Sequence, residues 1–487
     1  MASAVAGLEP AALWENFEAL SRIPRQSKQE EQVLAWLKEF ADARNLEWLQ
    51  DEVGNIIVRR PGSGGGESTP VVVIQSHVDM VCEKNSDVEH DFGRDPIQLL
   101  RDGDWLTADG TTLGADNGIG VATALALLEM GGDARLPPLE CLFTVDEETG
   151  LTGAFALDGT LLQGRTLLNL DTEEWGAICI GCAGGGDSEL ALPVAREASP
   201  GDFLSFQLSV EGLMGGHSGV NIHEYRANAI VLLASLLEPL ATIGARLVSV
   251  RGGDKTNAIP REAFATLLLP PAAMADAQIA VGARTAALQA EFGTLETALR
   301  VTLAGLDAAP AECLSAGAQT SLLGLLRALP HGVLKYSHAI PGLVETSNNL
   351  ASVAPDGSHY RIVCSSRSSI MEALEDVRDR IATIAALCGA TATRSSSYPG
   401  WQPDPASPVL KRLKRIYAEQ LGEAPEVGAI HAGLECGVIG ERAPGMDMVS
   451  FGPTITGAHS PDERVEIPTV AKFWNLLLAL LADMAEA

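Results

Sequence analysis

The sequence predicts an α/β protein in which a mostly parallel sheet carries the chemistry and a smaller α+β domain is inserted into the chain. Apolar runs of strand length end in histidine or acidic residues, as happens when buried parallel strands deliver side chains to their carboxyl ends. These runs occupy residues 1–184 and 400–487. Residues 185–399 between them have the strand and helix order of a separate α+β unit. The chain therefore leaves one core and returns to it.

The first apolar run is residues 71–79, VVVIQSHVD, which ends in His77 and Asp79. An uninterrupted Val/Ile run predicts a strand covered on both faces. Residues two apart in an extended chain point the same way, so Asp79 can reach the far ring nitrogen of His77 and fix its tautomer. For this segment alone, a core histidine with a capping aspartate is the simpler interpretation, and the rest of the chain favours the functional one.

Two further runs end in carboxylates. Residues 139–145 lead into Glu147 and Glu148, and residues 166–170 lead into Asp171. Adjacent acids are usually a solvated loop. Their position after predicted strands instead places them at the edge where His77 lies.

Two loops complete the set of candidate ligands. GADNGIG leads into an apolar helix predicted over residues 121–130, so Asp116 lies near a helix N-terminus, where an aspartate is often only a cap. Residues 446–451 predict another buried strand, and the loop that follows it contains His459.

These side chains form a nitrogen and oxygen ligand set without thiolate, suited to zinc, cobalt or manganese. Five ligands are too many for one tetrahedral ion, whereas a carboxylate that bridges two ions about 3.5–4 Å apart removes the surplus. Since neighbouring side chains diverge, one of two adjacent glutamates can bind metal while the other serves as base. The set is His77, Asp116, Asp171, His459 and one of Glu147 and Glu148.

The ordered motifs resemble those of the co-catalytic zinc aminoacylase and carboxypeptidase family, most closely its aminoacyl-histidine dipeptidase branch. The resemblance spans nearly the whole chain and implies a zinc-exopeptidase catalytic domain with a lid domain. The motifs are HVDMV at His77, GADNGIG at Asp116, VDEETG at Glu147, NLDTEE at Asp171, GGHSGVNIH at His217 and GAHSPDE at His459.

The resemblance also implies how two divalent metal ions, zinc above all with cobalt or manganese as alternatives, are held. Asp116 matches the bridging carboxylate. His77 and Asp171 then hold one ion, and Glu148 and His459 hold the other.

By the same resemblance, Glu147 matches the general base and Asp79 the acid that orients His77. The implied activity is hydrolysis of dipeptides with a free N-terminus, of Xaa-His type and with broad specificity. Glu435 in HAGLECG could pair with the free α-amine, with a plain helix-cap or loop acid as the alternative.

The inserted stretch predicts an internal duplication. Its first half has the order β-α-β-β-α-β of a ferredoxin-like unit, and its second half repeats that order without an opening strand. The first half comprises strand 203–211, helix 220–239, strands 245–251 and 262–269, helix 272–291 and strand 294–304. The second comprises helix 318–329, strands 343–353 and 358–366, helix 369–387 and strand 390–397.

Each half of the inserted stretch carries one of the two residues that a lid domain would contribute to the active site. In dimeric members of the family a lid histidine reaches the active site of the partner subunit, while a lid arginine acts in its own subunit. Here His217 lies in the first half and Arg367 in the second. We predict that His217 stabilises the oxyanion within its own chain and that Arg367 and Asn257 bind the substrate carboxylate. A homodimer is compatible with this arrangement but not required by it.

Composition limits the partners and the compartment. The chain has 34 basic and 63 acidic residues among 487, which argues against nucleic acid and anionic membranes as partners. No secretory signal is visible and no segment is expected to approach a membrane span. The eight cysteines are scattered, including a Cys179/Cys182 pair that we interpret as buried thiols, so a cytoplasmic protein is expected.

Other functions keep part of this pattern. An aminoacylase, tripeptidase, desuccinylase or other amide hydrolase of the same fold would keep the metal motifs and differ around Glu435 and Arg367. A serine hydrolase would need a G-x-S-x-G elbow, which we do not find. A metal-dependent binding protein of this fold would have lost the base, whereas Glu147 is present.

Overall fold

A computed structural model describes residues 3–308 and 310–486, and the chain divides into two compact units. Unit 1 comprises Met1–Cys182, Trp401–Ala429 and Leu434–Ala487, and unit 2 comprises Ala183–Gly400 and Ile430–Gly433. Residues 430–433 thus group with unit 2, although they lie within the predicted catalytic segment 400–487.

Helices and strands alternate through most of unit 1, and unit 2 has its own series. Within the described residues the α-helices are α1 Ala11–Leu20, α2 Glu31–Ala43, α3 Ala115–Glu129, α4 Thr152–Ala156, α5 Ala229–Thr242, α6 Met274–Phe292, α7 Ala316–Ala328, α8 Met371–Leu387, α9 Pro408–Leu421, α10 Glu435–Arg442 and α11 Ile467–Met484. The strands are β1 Glu47–Gln50, β2 Ile56–Arg60, β3 Val72–His77, β4 Leu99–Asp102, β5 Trp105–Ala108, β6 Leu139–Thr144, β7 Thr166–Asn169, β8 Ala177–Cys182, β9 Gly184–Pro193, β10 Arg196–Ala198, β11 Leu204–Glu211, β12 Arg246–Gly252, β13 Ala263–Leu269, β14 Arg300–Gly305, β15 Glu312–Leu314, β16 Gly332–Tyr336, β17 Val344–Asp356, β18 His359–Ser368, β19 Thr391–Arg394, β20 Glu426–Ile430, β21 Asp447–Ser450, β22 Ile455–Thr456 and β23 Arg464–Glu466.

Unit 1 is built on an eight-stranded sheet of order β1-β2-β6-β3-β7-β21-β8-β20. Its centre is parallel, because β3 pairs in parallel with β6 and β7, and β21 pairs in parallel with β7. Every residue of β3 and β6 is buried, as their unbroken apolar runs predict. The carboxyl ends of these four strands share one edge, which brings the segments that follow them together.

Helix α3 includes all of the GADNGIG segment except its first glycine and packs with both faces buried. All residues from Asn117 to Leu128 are buried, which suits a helix that is apolar on every side. The helix starts at Ala115 rather than at the predicted residue 121, but Asp116 and Asn117 have non-helical backbone angles. Asp116 therefore lies in a turn that enters the helix, and its side chain is free to point to the sheet edge.

One described helix, α11, is long and apolar enough to cross a membrane by length and composition, with a mean hydropathy of 1.3. The prediction that no segment approaches a membrane span is therefore wrong. Eight residues of α11, among them Phe473 and Leu477, are buried inside unit 1. A core helix of a folded domain can satisfy the same length and composition criteria because its apolar face packs against the protein.

The sheet of unit 2 has the order β14-β11-β13-β12-β17-β18-β9-β19, with β16 paired to β17. Its first half is the predicted series β11-α5-β12-β13-α6-β14. The helix predicted from residue 220 begins at Ala229, because Asn228 caps it by accepting hydrogen bonds from two backbone N–H groups. Gly212, Gly215 and Gly216 have positive φ, so the preceding segment is a loop, and this loop carries His217.

The prediction that the second half lacks an opening strand is wrong. Strand β9 fills that place by pairing with β18 and β19, so both halves have four strands and two helices. The strand precedes the first half in the chain and begins with three glycines, a composition that resembles a loop rather than a strand. Strands β12 and β17 join the halves through the pair Gly252 and Val353.

Candidate dimetal active site

The first ligand group of unit 1 forms where β3 and β7 end. The His77 Nε2 atom lies 3.1 Å from Asp116 Oδ1 and 3.5 Å from Asp171 Oδ1. One ligand atom from each of these three side chains lies within 4.8 Å of the others. A buried imidazole facing two carboxylates is a set that fits a divalent transition metal.

A second ligand group shares Asp116 with the first. The His459 Nε2 atom lies 2.9 Å from Glu148 Oε2 and 3.2 Å from Asp116 Oδ2. Asp116 therefore presents Oδ1 to His77 and Oδ2 to His459. One carboxylate that offers a different oxygen to each of two ligand groups is what a bridge between two ions requires.

Asp79 links His77 to the loop that carries the two glutamates. Its Oδ1 atom lies 3.3 Å from His77 Nδ1, and its carboxylate accepts hydrogen bonds from the backbone N–H groups of Glu147 and Glu148. Ser27 Oγ also donates to it, at 2.7 Å. Burial would raise the pKa of Asp79, but the bond to His77 and these donors lower it to about 2. Asp79 is thus placed where it can hold the ring of His77 in one orientation.

The two adjacent glutamates occupy different surroundings. Glu148 Oε2 faces His459, and Glu148 Oε1 is buried with no hydrogen-bond partner among the described residues. Glu147 lies within ligand distance of His77 and Glu148, and burial raises its carboxyl pKa well above the usual range. Glu148 therefore belongs to the second ligand group, whereas Glu147 lies beside both groups.

Several buried carboxylates lie close together at this edge of the sheet. Burial, together with the charges of neighbouring acids, raises the pKa of Asp171 to about 6 and that of Glu173 to about 8. Hydrogen bonds to Asp116 and Glu148 raise the pKa of His459 to about 11. So many buried acids need positive charge beside them. Two divalent ions would supply it, and one of them would give the buried, unpartnered Glu148 Oε1 a partner.

Two positioning residues were not anticipated from the sequence. The Glu463 carboxylate accepts hydrogen bonds from the backbone N–H groups of Leu113, Gly114 and Ala115 at 2.7–2.9 Å, and from that of Asp116 at 3.3 Å. The Arg25 guanidinium donates to carbonyl groups in both the HVD and GADN segments. Glu463 lies within the GAHSPDE motif, which is the one feature of the sequence that points to a role for it. Arg25 belongs to none of the motifs.

Replacing Glu463 by glutamine should weaken metal binding by about 10–100-fold without removing a ligand. The amide keeps one acceptor oxygen, so some of the four backbone N–H groups that place Asp116 lose their partner. Competitive titration of the metal-stripped protein with a chromophoric chelator measures this. Glu466→Gln in the same segment is the control, and equal metal affinity of both variants and the parent would contradict this role.

Glu435, predicted to pair with a substrate amine, begins α10 and is 1% exposed. Its Oε2 atom accepts hydrogen bonds from Gln75 Nε2 at 2.6 Å and Thr144 Oγ1 at 2.8 Å. Its Oε1 atom has no partner among the described residues, and burial raises its pKa to about 7. The structure thus ties Glu435 to residues of β3 and β6, and its predicted contact with a substrate amine stays a prediction.

Unit 2 brings its own three predicted residues together. The His217 Nδ1 atom accepts hydrogen bonds from the backbone N–H groups of Gly219 and Val220 at 3.2 and 3.0 Å, so the ring proton is on Nε2. The backbone N–H of Ser218 donates to the carbonyl of Asn257. A Cβ atom on Gly219 would lie 3.2 Å from Arg367 Nε, so the arginine packs directly against the His217 loop.

The comparison with known families decides what this assembly belongs to. The model of peptidase family M20/M25/M40 matches residues 73–483, a span that includes every ligand described above. The chain belongs to this peptidase family. The resemblance stated from the motifs is confirmed, and so is the predicted fold class.

Two relatives within the M20 family match over nearly the full length. The chain is 42% identical over 485 residues to the cytosol non-specific dipeptidase of Escherichia coli (strain K12), covering 99% of both chains. It is 41% identical to the crystal structure of an aminoacylhistidine dipeptidase from Vibrio alginolyticus, with a TM-score of 0.94 over 99% of this chain and 98% of that one. The crystal structure of aminopeptidase PepT from Bacillus cereus, 18% identical with a TM-score of 0.55, shares the M20 fold.

Proposed function

We propose that this M20 peptidase is a dinuclear metallo-dipeptidase that hydrolyses dipeptides with a free N-terminus, with broad specificity that includes Xaa-His substrates. The observation that carries the proposal is the placement of the two Asp116 oxygens between His77 and His459, with Glu147 beside both groups. The relatives named for dipeptidase activity support the choice of substrate.

The residues present fit two divalent ions, and zinc suits their nitrogen and oxygen donors, with cobalt and manganese as alternatives. His77 and Asp171 would hold one ion and Glu148 and His459 the other, with Asp116 shared. When bound, such ions lower the pKa of water and polarise a carbonyl group. Asp79 keeps the His77 ring oriented for its ligand role.

Glu147 is placed to move the protons of the reaction. Its carboxylate lies beside both ligand groups, so it can take a proton from the attacking water and return it to the amine that leaves. A base with this task must be close to the reacting atoms without being a ligand itself. Glu148, which contacts His459, is the adjacent residue that serves as the ligand.

The polar residues of unit 2 suit the carbonyl oxygen and the carboxyl end of the substrate. His217 carries its proton on Nε2 and is half-buried, so it can donate to the developing oxyanion. Arg367 is 8% exposed, forms no ion pair with a described Asp or Glu, and has an unpartnered Nε atom. A buried cation without a counter-ion fits a substrate carboxylate. Asn257 lies next to the His217 loop and would bind the same carboxylate.

The remaining assignments follow from the relatives and from composition. The Escherichia coli relative is named for the cytosol, which supports a cytoplasmic location. The net charge of −29 supports a small peptide as partner rather than nucleic acid or an anionic membrane. We propose that the active site does not require a homodimer, although one is compatible with it, and the position of His217 and Arg367 in the same unit of one chain supports this.

The proposal is tested by hydrolysis of matched peptides with the metal-stripped protein reloaded with zinc, cobalt or manganese. Free dipeptides, including an Xaa-His peptide, should be cleaved only after reloading, whereas their N-acetylated forms and a tripeptide series should be cleaved slowly or not at all. Preference for acylated substrates would instead indicate an aminoacylase, and preference for tripeptides a tripeptidase. Tight metal binding without hydrolysis of any peptide would indicate a binding protein.

A further inference from the structure

The buried cation of unit 2 is held by a tyrosine hydroxyl. Arg367 Nη1 donates a hydrogen bond to Tyr398 Oη at 2.9 Å, while Arg367 lies opposite Gly185 in the pairing of β18 with β9. Because a phenol is neutral, this bond orients the guanidinium and leaves its positive charge uncompensated. An aspartate in the same position would orient the group equally well but would neutralise it. The arginine is therefore positioned and still available to an anion.

Tyr398 is itself held by close packing against two glycines. Its backbone exchanges two hydrogen bonds with Gly185, at 3.1 and 2.9 Å. A Cβ atom at Gly185 would lie 2.5 Å from the Tyr398 hydroxyl oxygen, and one at Gly433 would lie 3.2 Å from the ring atom Cε2. Two glycines thus leave the space that the ring occupies, and one of them directly faces Arg367.

Arg367 also packs closely against Gly219. A Cβ atom at Gly219 would lie 3.1 Å from Arg367 Cδ and 2.1 Å from the carbonyl oxygen of His431. Since the stem and the buried Nε are packed here and one Nη1 N–H is bonded to Tyr398, the N–H groups of Nη2 and the second N–H of Nη1 are the donors left for a ligand. Arg367 can then meet a carboxylate without first losing much side-chain freedom.

We propose that Tyr398 is a positioning residue that sets the preference of this protein for substrates with a free C-terminal carboxylate, by holding Arg367 in its binding orientation. The inference rests on the proposed function and names a determinant of specificity at that site. Tyr398 does not touch the reacting bond in this proposal. Its loss should therefore weaken binding of the carboxylate and leave the chemical step unchanged.

The test measures binding separately from hydrolysis. In a Glu147→Ala background, calorimetry gives the dissociation constants of Ala-Leu and of its C-terminal amide, for the parent and for Tyr398→Phe. The phenylalanine keeps the ring between the glycines and removes only the hydroxyl. We expect Tyr398→Phe to weaken binding of the free acid about tenfold, equivalent to about 1.4 kcal/mol, and to leave binding of the amide unchanged. In the otherwise native protein, KM for Ala-Leu should rise by the same factor with kcat unchanged.

Tyr360→Phe is the matched control. The Tyr360 hydroxyl accepts a hydrogen bond from the Val250 backbone N–H at 2.9 Å in the same sheet and is fully buried. Its loss should lower thermal stability without changing the ratio of acid to amide affinity. Equal dissociation constants for Tyr398→Phe and its parent, an equal effect on acid and amide, or no preference of the parent for the acid would overturn the inference. Failure of the wild type to hydrolyse Ala-Leu would instead overturn the proposed function, since the binding comparison is independent of turnover.

Discussion

Replacement of Glu147 by alanine should lower kcat for dipeptide hydrolysis by about 1,000-fold while both metal ions remain bound. The reason is that Glu147 lies beside the two ligand groups but holds neither ion in the proposed site, where His77 and Asp171 would serve one and Glu148 and His459 the other. Steady-state kinetics together with metal analysis by mass spectrometry measure both quantities on the same sample.

Two further variants separate the base from its neighbours. Glu148→Ala should lose activity together with metal, because Glu148 contacts His459 in the second group. Glu174→Ala, which removes an exposed acid from the NLDTEE segment, should change neither activity nor metal content. Near-normal kcat in Glu147→Ala, or loss of metal from that variant, would show that Glu147 is not the base.

Replacement of Asp116 by alanine should have the second large effect, which is the loss of both metal ions at once. Asp116 is the residue that the two ligand groups share, with Oδ1 at His77 and Oδ2 at His459. Without it each ligand group would lose a member, and the two proposed ions would lose the carboxylate that they share. Metal content should fall from two ions per chain toward none, and kcat/KM by about 1,000-fold or more.

Asp171→Ala provides the comparison, because Asp171 belongs to one group. That variant should retain an ion in the Glu148 and His459 group. The fold of the Asp116 segment should survive in Asp116→Ala, since Glu463 holds the backbone of Leu113 and Ala115 independently of that side chain. An Asp116→Ala protein that keeps one ion at unchanged affinity would contradict a shared carboxylate.

Much of unit 1 was predictable because short stretches of its sequence indicate its buried strands. A strand buried on both faces leaves an unbroken apolar run, and the residue after it must lie at the sheet edge. His77 and Asp171 could thus be placed near each other from pattern alone. Their partners Glu463 and Arg25 could not, because they act through backbone atoms far away in sequence. Glu463 accepts a hydrogen bond from the backbone N–H of Leu113, which lies 350 residues earlier in the chain. No local sequence pattern predicts such a contact.

Unit 2 shows the complementary difficulty. The order of β11 to β14 was predictable from alternating apolar segments, but β9 was not, since its pairing with β18 is set by tertiary structure and its glycines weaken a strand pattern. One of those glycines, Gly185, leaves the space that the Tyr398 ring occupies. Tyr398 was therefore hard to predict, because its position depends on space that a glycine of another strand leaves.

Stoichiometric reconstitution tests whether dipeptide hydrolysis needs two metal ions that share Asp116. Metal-stripped protein is titrated with zinc, and hydrolysis of an Xaa-His dipeptide is measured at each ratio of metal to chain. We expect activity to reach its plateau at two equivalents, with the Asp116→Ala variant inactive throughout. A plateau at one equivalent, or hydrolysis that persists in the metal-stripped protein, would contradict it.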